Sequence, residues 1–138
     1  QSIAAAEWAG ANLDPRDRIA SDRVNTLLLA TYGHLRPVTH QYDEVYMSSI
    51  FLEPQIGGYE RQLITDLNLR YLLVDERLST QLPRVGVYFE AGEPGANQYT
   101  VPASLLALQK FETLPGASRL FDSGDIKIYD VRVLDANP

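Results

Sequence analysis

At 138 residues, with 45% hydrophobic and 22% charged residues, the chain has the length and composition of one globular domain that buries its own core, which excludes disorder over most of its length. Its net charge is −6 and its Lys and Arg residues are scattered. That excludes a nucleic-acid interface, which needs a concentrated basic patch, and argues against direct docking on an anionic membrane surface. The absence of cysteine excludes disulfides, thiolate zinc sites and a cysteine nucleophile.

In chain order, residues 2–12 read as a helix capped by Ser2, with Ala4, Trp8 and Ala11 on one face; Asp14-Pro15 ends it, because the residue before a proline avoids helical angles. Residues 18–21 form a short strand. Ser21 or Asp22 then caps a second helix whose Val24, Leu27, Leu28 and Thr31 recur at helical spacing, and Gly33 stops it. Residues 36–39 suit a short strand at a sheet edge, since Pro37 cannot donate to a ladder. Residues 42–58 are the least legible; Val45-Tyr46-Met47 and Ile50-Phe51-Leu52 fit either strand or buried loop.

Residues 59–68 give the clearest helical stripe, through Tyr59, Leu63, Ile64 and Leu67. The run Tyr71-Leu72-Leu73-Val74 that follows fits a strand buried on both faces. Residues 84–90 alternate Val85, Val87 and Phe89 as a half-buried strand would, and residues 92–97 are a turn-rich loop. Pro102 opens a helix to about Glu112 that buries Leu105, Leu108 and Phe111. Residues 118–133 read as a hairpin around Asp122-Ser123-Gly124-Asp125. There Ile126 and Ile128 share one face and Tyr129, Val131 and Val133 the other, which implies a bulge or burial on both faces. The pattern predicts a single α/β domain over residues 1–138: a small layered sandwich with a mixed, mainly parallel sheet, flanked by helices and closed by a C-terminal β-hairpin.

No apolar run reaches the ~20 residues needed to cross a bilayer. The start Gln1-Ser2-Ile3 lacks an initiator Met and a signal-peptide pattern, as expected of a domain excised from a larger protein.

Candidate chemistry is sparse. Asp22 and Asp75 each follow a predicted strand, and ligands of open α/β sheets bind beyond the carboxyl ends of strands. If those strands are parallel neighbours, the carboxylates converge on a site for a cation or a sugar hydroxyl; otherwise Asp22 is a helix cap and Asp75 opens a polar loop. His34 and His40, near Asp43 and Glu44, have no helical metal-ligand spacing and read as loop residues. Ser48 and Ser49 lie outside any nucleophile elbow, and Gly92-Glu93-Pro94-Gly95 lacks the phosphate-loop pattern. Tyr42, Tyr46, Tyr59, Tyr88 and Tyr99 are candidates to line a carbohydrate groove, against the alternative that they are packing residues with one wet end. No cofactor is implied.

Four segments carry a resemblance. They are Ala5-Ala6-Glu7-Trp8-Ala9 with Asn12-Leu13-Asp14-Pro15 and Arg18-Ile19-Ala20-Ser21-Asp22; Thr31-Tyr32-Gly33-His34-Leu35-Arg36-Pro37-Val38; Leu69-Arg70-Tyr71-Leu72-Leu73-Val74-Asp75; and Phe121-Asp122-Ser123-Gly124-Asp125-Ile126-Lys127-Ile128-Tyr129-Asp130-Val131. In that order they resemble the segment after the last membrane span of polytopic GT-C-class glycosyltransferases, which use polyprenyl-phosphate-linked sugars. The resemblance implies an extracytoplasmic, non-catalytic domain of a multi-pass membrane protein. Its expected partners are a glycan or lipid-linked sugar acceptor and the transmembrane part of the same chain. The family's catalytic acidic residues lie among its membrane helices, so none maps onto a position here. A stand-alone periplasmic carbohydrate-binding module and a small metal-dependent hydrolase are the competing expectations.

Overall fold

The computed structural model describes residues 1–134. A five-stranded mixed sheet, ordered β2-β1-β3-β5-β4, runs through the middle of the domain. Its strands are β1 (Arg18–Ala20), β2 (Arg36–Pro37), β3 (Leu69–Asp75), β4 (Ser118–Asp122) and β5 (Ile126–Asp130). β1 pairs in parallel with β2 and β3; β5 pairs antiparallel with β3 and β4. The sheet is therefore parallel through its first three strands and antiparallel at the closing hairpin, and Pro37 sits on its outermost strand.

Helices cover both faces. On one face α1 (Ser2–Asn12) and α2 (Arg23–Tyr32) supply Ala5, Ala6, Ala9 and Leu29, which pack on Tyr71, Leu73, Ile126 and Ile128. On the other, α4 (Ser48–Leu52), α5 (Gly58–Asp66) and α6 (Leu105–Gln109) supply Ile50, Phe51, Leu63, Ile64 and Leu108 against Leu72, Val74, Tyr129 and Val131. The short α3 (His40–Asp43) is tied to β1 by the Arg18–Asp43 ion pair at 2.7 Å. Burial on both faces explains the continuous apolar run of β3. It also explains why Ile128 and Tyr129 are both fully buried. A register shift opposite Arg18 and Ile19 makes Arg70 an extra residue, so Leu69 shares a core with Leu72 despite the odd spacing.

Several expectations are corrected. In α1 the buried face is Ala5, Ala6 and Ala9, with Ala4 and Ala11 exposed, because small residues there let α2 approach. Ser2 is not the cap; its hydroxyl accepts from Arg77 Nη2 at 2.6 Å. In α2 the buried positions are Asn25 and Leu29, whereas Val24 and Leu27 face outward. Residues 48–52 form a helix, neither strand nor loop.

Residues 84–90 form no strand. Gly86, at φ +83°, breaks the extension, and Glu93 Oε1 accepts from the Tyr88 and Phe89 amides at 2.7 and 3.1 Å, taking donors a ladder would use. The helix placed at Pro102 begins at Leu105, where Ser104 Oγ accepts from the Ala107 amide at 3.2 Å, and Leu105 is exposed. Of the two alternatives for the hairpin, burial on both faces accounts for β5, and the irregularity lies in its partner β4, between Arg119 and Phe121; β5 ends at Asp130, and Val133 is exposed in the 3₁₀ turn Arg132–Leu134 and does not share the Tyr129 face.

Candidate functional site

Beyond the carboxyl ends of β1 and β3 the chain leaves in opposite directions. β1 leads into α2 over one face, and β3 leads through a 3₁₀ turn (Glu76–Ser79) toward α6 on the other. Such a divergence opens a crevice, the usual ligand position in α/β sheets. Here it is a cleft of about 510 Å³ whose walls include Asp22, Asp75, Arg77, Arg23, Leu82 and Val85.

Asp22 and Asp75 meet at the floor of this cleft through Asn25. The Asn25 amide nitrogen donates to Asp22 Oδ2 at 2.8 Å and to Asp75 Oδ2 at 3.0 Å. Asp22 caps α2: its Oδ1 accepts from the Val24 and Asn25 amides, both at 3.1 Å, while Ser21 Oγ donates to Oδ2 at 3.3 Å. Asp75 accepts from the Arg77 amide at 3.0 Å, from Arg77 Nε at 2.9 Å and from Arg77 Nη2 at 2.7 Å. Arg77 Nη2 also reaches Ser2, fastening the start of α1 to the end of β3.

These bonds decide what the pair does. A carboxylate offers about four lone-pair sites. Two donors meet each oxygen of Asp75 and Oδ1 of Asp22, and Oδ2 of Asp22 has Asn25 together with the Ser21 hydroxyl, whose one proton is shared with the Leu73 carbonyl at 3.1 Å, so the fold itself takes up most of their accepting capacity. The pair is a fastening between β1, α2, β3 and α1. A sugar hydroxyl or cation reaching either carboxylate would have to displace one of these bonds. Among the described residues no group of three His, Cys, Asp or Glu side chains is placed to hold a metal.

The two carboxyls titrate in opposite directions. Burial pushes Asp22 up, the neighbouring Asp75 adds to that, and the bonds from Asn25 and Ser21 pull back. Burial also pushes Asp75 up, but the Arg77 guanidinium and the Asn25 amide outweigh it and hold the carboxyl below its usual range. A lowered pKa in the folded state contributes stability that is present above the unfolded value, ~3.9, and is lost as pH falls. Arg77→Gln is therefore expected to raise the Asp75 titration midpoint, followed by NMR of the side-chain carboxyl carbon. The stability difference from wild type should shrink on acidification; an unmoved midpoint would show that Arg77 does not hold the charge.

Of the candidate tyrosines, the cleft gathers Tyr88 alone with the two aspartates. Its ring is buried, and its hydroxyl donates to the Gln81 carbonyl at 2.9 Å and accepts from the Ala103 amide at 3.2 Å. Tyr42 lies on α3, 82% exposed, and Tyr46 stacks on His40 at 4.1 Å; neither lines the cleft. Tyr99 meets the edge of Tyr88 at 4.9 Å, and Tyr59 is exposed at the start of α5. Sequence reasoning missed Asn25, Arg77 and the rim arginines Arg23 and Arg84. The signal for Arg77 was present: Asp75-x-Arg77 repeats the Asp14-x-Arg16 spacing, where Arg16 Nε and Nη2 also grip the aspartate two residues back.

No family model matches the chain, and no curated protein matches it. Among solved structures, the C-terminal globular domain of an oligosaccharyltransferase from Archaeoglobus fulgidus superposes with a TM-score of 0.62 at 14% identity, covering 93% of this chain and 94% of that one. The likeness runs almost end to end in both chains and establishes a shared fold.

Proposed function

We propose that this chain is a non-catalytic, extracytoplasmic domain of a membrane glycosyltransferase-like protein, in which it aids recognition of an acceptor or glycan. The observation that carries the reading is the near-complete coverage in both directions of a domain that itself belongs to an oligosaccharyltransferase. The ordered resemblance of four segments to GT-C-class glycosyltransferases supports it independently. The cleft chemistry is consistent with a role other than catalysis, because both carboxylates are engaged in holding the fold together.

The recognition role is tested by titrating the isotopically labelled domain with neutral mannooligosaccharides and, separately, with short acceptor peptides. Saturable amide shifts are expected with one of the two. The absence of saturable shifts with both would remove the recognition role.

A further inference from the structure

Helix α2 carries aliphatic side chains on its outer face. Val24 and Leu27 are 63% and 68% exposed, while the inward position between them holds Asn25. Leu82 and Val85, 45% and 62% exposed, join Val24 on the walls of the same cleft, and Leu27 lies one turn further along α2. The four form a patch on the order of 400 Å², more than the scattered single aliphatics that any surface carries.

Two cations flank it. Arg23 and Arg84 also line the cleft and are exposed, and among the described residues neither has a side-chain partner. By contrast, Arg16, Arg18, Arg70, Arg77 and Arg119 each grip a carboxylate. The acidic groups at the cleft, Asp22 and Asp75, are buried at its floor with their bonds filled. The rim is thus locally cationic on a chain of net charge −6. Charge averaged over the whole chain disfavours membrane docking, but the fold sets two free arginines beside the largest outward aliphatic side chains of α2.

The size of the patch narrows the occupant. A stable dimer buries about 800 Å² per partner, roughly twice what these side chains offer. A bilayer surface needs no matching shape: aliphatic side chains enter the headgroup boundary while arginines reach lipid phosphates. We propose that the rim formed by Val24, Leu27, Leu82 and Val85 with Arg23 and Arg84 is a docking face for a lipid bilayer carrying anionic headgroups. This deepens the functional reading above by assigning the side on which a membrane-tethered domain lies against its bilayer. It is tested on the isolated chain, so it stands or falls apart from whether membrane spans precede that chain.

The experiment is co-sedimentation with phosphatidylcholine vesicles that contain or lack phosphatidylglycerol, at low and high salt. Partitioning onto the phosphatidylglycerol vesicles, weakened by salt, is expected. Arg23→Gln and Arg84→Gln should each lower it about fivefold. The double change Val24→Ser with Leu27→Ser should lower it at least about tenfold. All four side chains are exposed, so the thermal midpoints of these variants should stay close to wild type and separate lost binding from lost folding. No partitioning at low salt, or partitioning indifferent to the aliphatic changes, would overturn the proposal. So would a concentration-dependent doubling of mass in light scattering that the same double change abolishes, since the face would then serve a second copy of the chain.

Discussion

Asn25→Asp is expected to destabilise the domain by about 3–5 kcal/mol at neutral pH, the range seen when a buried charge loses its compensation. The reason lies in the direction of one amide. Asn25 is buried, and only its NH₂ can face both Asp22 and Asp75, because their oxygens accept and never donate when ionised. Among the described residues the opposite Oδ1 atom has no hydrogen-bond partner, so the residue serves through its donor. An aspartate of the same shape replaces that donor with an acceptor and sets a third carboxyl beside two others. Burial and like charge raise its folded pKa, so folding favours its protonated form. The penalty is then small below the unfolded carboxyl range near 4 and grows as pH rises through it. Urea unfolding of both proteins at pH 4 and pH 7 reads this directly. A stability gap that is equal at the two pH values, or larger at pH 4, would mean that the amide does not separate two charges.

The second large effect is expected from Gly10→Ala and Gly33→Ala. Gly10 lies inside α1, where this change ordinarily stabilises by roughly 0.5–1 kcal/mol, and Gly33 is the C-cap of α2. Here the sign should reverse. A Cβ at Gly10 would sit 2.8 Å from the Gly33 carbonyl oxygen and 2.9 Å from its Cα; one at Gly33 would sit 2.8 Å from the Leu29 carbonyl oxygen and 2.9 Å from that of Ala6. All are backbone atoms: the contacts between Gly10 and Gly33 and between Gly33 and Ala6 are relieved only if α1 and α2 move apart, and the contact with Leu29 only if the end of α2 shifts. Overpacking of this kind costs about 1–3 kcal/mol, which exceeds the propensity gain. Thermal unfolding should show a lower midpoint for each variant. The double variant should lose less than the two singles combined, because helices separated for one methyl have room for the other. A midpoint at or above wild type would contradict the close approach of the two helices.

What the sequence revealed follows from which forces act locally. The strand at residues 71–74 was legible because burial on two faces demands a continuous apolar run, and the hairpin at residues 118–133 because Gly124 at φ +101° marks a turn. The strand expected at residues 84–90 failed because alternation there reflects a loop held by the buried Glu93 carboxylate four and five residues on, a local arrangement with no periodic signature. The α2 stripe misled in another way. Periodicity finds an apolar face without saying which way it points, and on α2 it points outward while Asn25 points in. At the candidate site, the convergence of Asp22 and Asp75 followed once their strands were parallel neighbours. The grip of Arg77 on Asp75 was signalled by their spacing, whereas the bond from Asn25 to Asp75 was not legible, because it joins side chains fifty positions apart in the sequence.

Whether this domain belongs to a membrane protein is read from the topology of the protein that contains it, beginning with the hydropathy of any coding sequence upstream of Gln1. Several apolar segments of ~20 residues are expected there, with residues 1–138 accessible to an impermeant label from the extracytoplasmic side. A soluble upstream region, or labelling from the cytoplasmic side, would contradict it and leave a free-standing carbohydrate-binding module as the reading to test.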